Sequence, residues 1–431
     1  MRFKATLLAL LFAPLFAAHA DDEENEWTRF RGPNGSGISG AQSIPVKWTA
    51  KEYNWTIELP GDGSSSPVVW KEKLFVTCND RKKSIRSVVC VNANDGKIHW
   101  RQDFPYTSYR MHRDNDFASA TPTVDADGVV VVWSMPQQLL MLAVDLEGKE
   151  LWRRDLGPYV GIHGSASSPI IADGLVILAN DQMDPKVMKR FLPRDASMVP
   201  EKSFLIAVDR MTGKTRWKID RRTVLAGYST PCVRQTGGDG PELVFSGTAH
   251  GMTGVDLATG KINWEIKGIL NSRVVGSPQL YQDLVFGSYG SGLSAQRLVA
   301  VRAPRKGGVK KPKVAYNVSQ SPPLVPSCLI KDDLLFLWTD SGIVSCLDAA
   351  TGKRHWRERV GGNYYCSPVW IDGRLYCTSK EGDVVVVAAD KTFKLLAKNP
   401  LGEKSFAIPA VAHGVMYQRT QTKLFSLGGK N

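Results

Sequence analysis

Tyr109-Arg110-Met111-His112-Arg113-Asp114-Asn115 is the densest run of groups that could do chemistry, and His163 and the pair Asn180-Asp181 add to it from other non-repetitive stretches. Such a mixture of aromatic, cationic and amide groups can hold an anionic ligand, arginine being suited to pair with carboxylates. The ligand-binding candidates are therefore Arg110, His112, Arg113, Asn115, His163, Asn180 and Asp181. The competing reading is that the same residues bridge neighbouring elements through ordinary hydrogen bonds. No catalytic residue or metal ligand stands out, because the chain has no HExxH, P-loop or nucleophile-elbow phrase. Its seven cysteines are odd in number and include no C-x-x-C pair, so they are expected as small hydrophobes rather than a zinc or redox signature. Gly35-Ser36-Gly37-Ile38-Ser39-Gly40 is a literal G-x-G-x-x-G, yet no βαβ pattern surrounds it, which argues against a dinucleotide. His99 and His355 each precede a repeated tryptophan and are expected to pack.

The elements that must position these residues follow from a repeat. A small residue, any residue, Asp or Asn, a Gly-Lys turn and Trp recur: Cys90 to Trp100, Ala143 to Trp152, Ala207 to Trp217, Gly254 to Trp264 and Cys346 to Trp356, with a fainter copy from Ala300 to Tyr316. In the turn, Asp can accept backbone hydrogen bonds and Gly supplies a positive φ. A second phrase, Ser-Pro or Ser-x-Pro before an apolar strand, is anchored at Pro67, Pro122, Pro169, Pro231, Pro278, Cys328, Pro368 and Pro409. Eight positions later stand Phe75, Val130, Ile177, Phe286, Phe336, Tyr376 and Tyr417; an insertion at 236–242 delays the corresponding Phe245.

Eight anchors spaced by about 49 residues, with strand rather than helix patterning, predict an all-β, eight-bladed β-propeller of four-stranded repeats. One blade has only a thin core, so each Trp is expected to bury its ring against the neighbouring blade. The eighth unit ends before a fourth strand. Trp55-Thr56-Ile57-Glu58-Leu59 has an outer-strand pattern without its own turn phrase, and is expected to close the ring as an N-terminal strand.

The frame around the propeller is legible too. Arg2 and Lys4, an apolar run from Ala5 to Phe16, and Ala18-His19-Ala20 read as a signal peptide over residues 1–20, followed by an N-terminal extension at 21–42 and the propeller at 43–431. No cysteine near the cleavage site could carry a lipid, and no apolar run approaches the ~20 residues of a membrane span. An exported, periplasmic protein is expected. Formal charge is +13, or +11 without Arg2 and Lys4, which permits peripheral contact with anionic surfaces. The basic run at 305–313 lacks interleaved aromatics, which argues against nucleic acid.

These repeats resemble the PQQ-type repeat over nearly the whole mature chain. With Trp27-Thr28-Arg29-Phe30-Arg31-Gly32-Pro33-Asn34-Gly35 ahead of them, the chain resembles the PQQ-binding-like propellers of the BamB-like family, scaffolds of outer-membrane protein assembly. The resemblance implies a non-catalytic binding scaffold, without cofactor, whose partners are envelope proteins or peptides. The alternative within the same repeat class is a PQQ- and calcium-dependent quinoprotein oxidoreductase acting on an alcohol or sugar. Against it stand the shorter chain and the absence of adjacent cysteines. In a propeller of this kind two of the longest connections, 103–118 and 181–203, lie on one face, and this is the candidate surface. Met183, Val187, Met188, Phe191, Leu192, Met198 and Val199 make the second of these either a lid or an apolar contact patch.

Overall fold

A computed structural model describes residues 26–109, 112–159, 161, 163–191, 202–238, 240–292 and 294–429. Eight sheets follow one another, each with four antiparallel strands in simple up-and-down order, and one of them carries a fifth strand. Blade 1 consists of Val68–Trp70, Lys73–Asp80, Ile85–Asn92 and Ile98–Pro105. Short first strands of successive blades touch one another, including those of blades 8 and 1, so they line the axis and the sheets radiate from it as an eight-bladed propeller. Along each blade we call the strands first to fourth, from the axis outward. No helix among the described residues is long and apolar enough to cross a membrane.

The repeated turn is built as its residues require. Asp209 Oδ1 accepts from the N–H groups of Met211 and Thr212, and Gly213 takes φ 66°. Glycine matters there for a second reason: a Cβ on Gly213 would lie 2.8 Å from the ring of Trp152, which belongs to the preceding blade. The indole of Trp152 also donates to the carbonyl of Arg210, just after the turn aspartate. Trp100 docks the same way on Leu146, Trp217 on Leu257, and Tyr316 through its hydroxyl on Ala349. Asp, Gly and Trp thus form one inter-blade joint. His99 and His355 do not pack: strand alternation turns the residue before each Trp outward, and both are exposed.

The anchor phrase forms a second joint nearer the axis. Backbone N–H groups of Ser66, Thr121, Thr230, Ser277 and Ser327 donate to the hydroxyls of Thr121, Ser168, Ser277, Ser327 and Ser367 respectively, and Ile408 N–H returns to Ser66. The hydroxyl before the anchor therefore accepts from the preceding blade, which is why Ser or Thr recurs there. In blade 4 the insertion shifts the register so that Val244, not Phe245, stands opposite Cys232. All seven cysteines are buried and none forms a disulfide.

Closure is as the repeat count demands. Tyr53–Glu58 pairs antiparallel with Lys423–Gly428, supplying the fourth strand of blade 8. Trp55 then docks on Ala93 of blade 1, so the same joint seals the ring.

Residues 26–42, read from sequence as an extension ahead of the propeller, are built into it. Trp27 pairs with Val69 of blade 1, and Thr28 O accepts from Val124 of blade 2. Arg29 donates to Pro231 O, Asn34 exchanges bonds with Val233 of blade 4, and Gly35 O accepts from Gln279 of blade 5. Arg31 reaches Ser327 O and Cys328 O of blade 6, and Ile38–Ser39 adds a parallel strand to blade 7. A segment that touches the first strands of six blades must lie across the axis, and it fills the channel below the anchor residues. Gly35 and Gly37, the start of the G-x-G-x-x-G phrase, adopt positive φ within this plug.

Candidate functional site

Above the anchors, on the face of the long connections, a cavity of about 500 Å³ opens over the plugged channel. Its walls come from loops that enter blades 2 to 7. The residue three places before the anchor lines it in five successive blades: Ala166, Tyr228, Val275, Val325 and Tyr365. Asp340 and Lys380, two residues beyond the second strands of blades 6 and 7, complete the wall with Arg273.

Two carboxylates face this space and both are committed. Asp114 Oδ2 accepts from Lys380 Nζ at 2.8 Å and from Tyr365 Oη at 3.0 Å. Burial pushes the Asp114 carboxyl up, but the ammonium and phenol outweigh it and hold it below the usual carboxylate range. Burial likewise opposes the Lys380 charge, and Asp114 with Tyr365 restores it beyond the ordinary lysine value. Asp340 accepts from the N–H groups of Leu324 and Val325 at 2.9 and 3.1 Å; burial nevertheless prevails and raises its pKa.

The opposite corner holds donors. His163 stacks at a tilt on His112, with ring centroids 4.9 Å apart, and meets Tyr228 edge-on at 6.4 Å. Burial first, then the charge of Arg273 and the proximity of His112, push His163 down to about 4, so it is neutral at pH 7. Burial also raises Tyr228, with Arg273 acting against it. His163 Nε2, Tyr228 Oη and Arg273 Nε are all buried without a hydrogen-bond partner.

The residues singled out from sequence divide. His112, Asn115 and His163 line the cavity. Asn115 holds the loop by donating to His163 O and accepting from Asp116 N–H. Arg113 does not line it: its side chain is 88% exposed, with Nε 3.8 Å from Asp114 Oδ1. Asn180 and Asp181 lie between blades 3 and 4 instead: Asn180 is buried, and Asp181 sits against Gly227 and Gly247, whose Cβ atoms would each lie 2.7 Å from its Oδ2. Arg110 lies outside the described residues. Sequence reasoning missed Asp114, Tyr228, Arg273, Asp340, Tyr365 and Lys380. The signal that finds most of them is position relative to the anchor, three or five residues before it or just beyond the second strand. Of the connection at 181–203, Met183 and Met188 are buried against Ala226, with Val187, Leu225 and Tyr228 around them. Its helix, Pro185–Phe191, therefore folds down onto the loop that carries Tyr228. Phe191's side chain, Leu192, Met198 and Val199 lie outside the described residues.

Fold and cavity together define a PQQ-like eight-bladed propeller with a blind central pocket. A family profile described as outer membrane protein assembly factor BamB matches residues 47–189, 85–307 and 318–396, and the chain belongs to that family. No curated protein sequence matches the chain significantly. Among solved structures it is similar to BamB from Moraxella catarrhalis, at 14% identity over 86% of this chain and 95% of that one, with a TM-score of 0.60. It is similar too to the quinohemoprotein alcohol dehydrogenase from Comamonas testosteroni, at 12% identity over 96% and 82%, TM-score 0.65. The computationally designed Ika8 protein matches at 11% identity over 86% and 98%, TM-score 0.58. Likeness this remote carries the fold alone, and function rests on the site.

The donor set can be tested against a calcium-bound quinone. Among the described residues no three His, Cys, Asp or Glu side chains come together as metal ligands. Asp114 and Asp340 are already engaged, as above, and a hard cation needs protein carboxylates free to reach it. These residues do not fit that group.

Proposed function

We propose that this protein is a non-catalytic binding scaffold of the bacterial envelope, and that it recognises its partner with the cavity over the channel. The observation that carries this reading is the blind pocket of about 500 Å³, walled by loops entering six blades, with its acids paired and a corner of donors unpaired. Such a pocket lies in the size range that binds ligands and has the geometry of a binding site. Membership of the BamB family and the leader-like residues 1–20 support the envelope location and a protein partner.

A photo-crosslinking residue at Asn363, on the cavity rim, should give protein adducts in intact cells, and one at Thr259, in a repeat turn on the opposite face, should not. In parallel, the purified protein incubated with PQQ and Ca²⁺ should take up no stoichiometric chromophore. Equal labelling from both positions, or quinone uptake followed by dye reduction with an alcohol, would overturn the reading.

A further inference from the structure

Arg273, His163 and Tyr228 form one corner of the cavity, and each keeps a buried polar atom that nothing satisfies. Among the described residues no carboxylate pairs with Arg273. An unpartnered buried polar group costs about 1–3 kcal/mol, so three together are a standing cost that a ligand would relieve. The ligand must be an acceptor, since arginine and tyrosine supply N–H and O–H groups. One positive charge with two neutral donors matches a singly charged carboxylate better than a phosphate dianion.

Shape narrows the source. The channel beneath is filled by residues 27–39, so a chain cannot thread through, whereas a chain end can enter from the open mouth. Ala166, Val275, Leu324 and Val325 offer apolar wall beside the donors, where the last side chain of such an end could lie. Resting on the scaffold reading above, we infer that Arg273, His163 and Tyr228 are a carboxylate subsite that captures the C-terminal end of a partner's chain. Arg273 pairs with the carboxylate, Tyr228 Oη and the His163 ring donate to it, and the apolar wall selects the terminal side chain. Capture of a terminal carboxylate by a fixed donor cluster is a recurring way to read a peptide.

The test uses the full mature protein and two pools of N-acetylated hexapeptides, identical except that one ends in a free carboxylate and the other in an amide. Equilibrium dialysis read by mass spectrometry should show the free acids retained at least about tenfold over the amides, the value of one charge-assisted contact. Arg273→Gln should abolish the preference, while Arg297→Gln, an exposed arginine on blade 5 outside the cavity, should leave it intact. Should Arg273→Gln fail to fold, the comparison of pools on the unaltered protein carries the same claim. Equal retention of both pools would overturn the subsite. N-acetyl amino acids bound as tightly as the hexapeptides, with the same dependence on Arg273, would overturn the chain end as its source. Crosslinks at Asn363 without any carboxylate preference would sink this inference alone, whereas their absence would sink the scaffold reading beneath it.

Discussion

His163 and Asp181 titrate over nearly the same pH range with opposite consequences. His163 is held at about 4 against 6.5 in an unfolded chain, so between those values the unfolded state takes a proton the folded state refuses, and stability falls as pH falls. Asp181 is pushed up to about 6 by burial, with Arg221 only partly opposing it, against 3.8 unfolded. Its folded state therefore binds the proton first, and the stability it contributes is lost as pH rises through 6. Asp181→Asn should raise stability at pH 7 by on the order of 2 kcal/mol and by almost nothing at pH 4, read from urea midpoints at the two pH values. His163→Gln should flatten the acid limb of the same curve. If both substitutions shifted stability equally at every pH, neither environment would be as described. The cysteines make a companion case: burial pushes Cys90, Cys232, Cys328 and Cys346 up to about 12, so a maleimide should label none of them until denaturant is added.

The segment across the axis shows what one short element contributes. Arg31 is fully buried, with no carboxylate partner among the described residues, and is satisfied by carbonyls of Gly35, Ser36, Ser327 and Cys328. Those carbonyls belong to the plug and to blade 6, so the side chain rivets one to the other. Arg31→Ala would strand several of them and should cost about 3 kcal/mol or more, measured by chemical denaturation. Gly32 is bound by a different constraint: φ is 66°, and a Cβ there would run into the ring of Trp27. Gly32→Ala should therefore destabilise without removing any hydrogen bond. The Trp27 to Gly35 run reads as a family resemblance in the sequence, and no periodicity announces that it fills the channel, because it bonds to five blades and repeats with none.

For the whole molecule, the ring is held by joints between blades more than by any single core, as expected where each repeat contacts only its neighbours. The seam between blades 8 and 1 is closed by Tyr53–Glu58 and the Trp55 joint. Deleting residues 48–59 should leave the edge of Lys423–Gly428 unpaired and lower the melting temperature severely; an unchanged value would refute closure by this strand. Period, blade number, the turn aspartates, the docking tryptophans and the closing strand were all legible in sequence, because each joint is local and recurs from blade to blade with small variations. The cavity was legible only in part. His112, Asn115 and His163 could be found as polar residues in unrepeated loops, but their partners Arg273, Tyr228, Tyr365 and Lys380 are scattered along more than 150 residues and meet only when the ring closes. Asn180 and Asp181 looked equivalent from their loop and proved to face a seam between blades. Local pattern determines the joint between neighbours; which loop residues converge on the axis depends on the rotation from blade to blade, and that exists only in the closed ring.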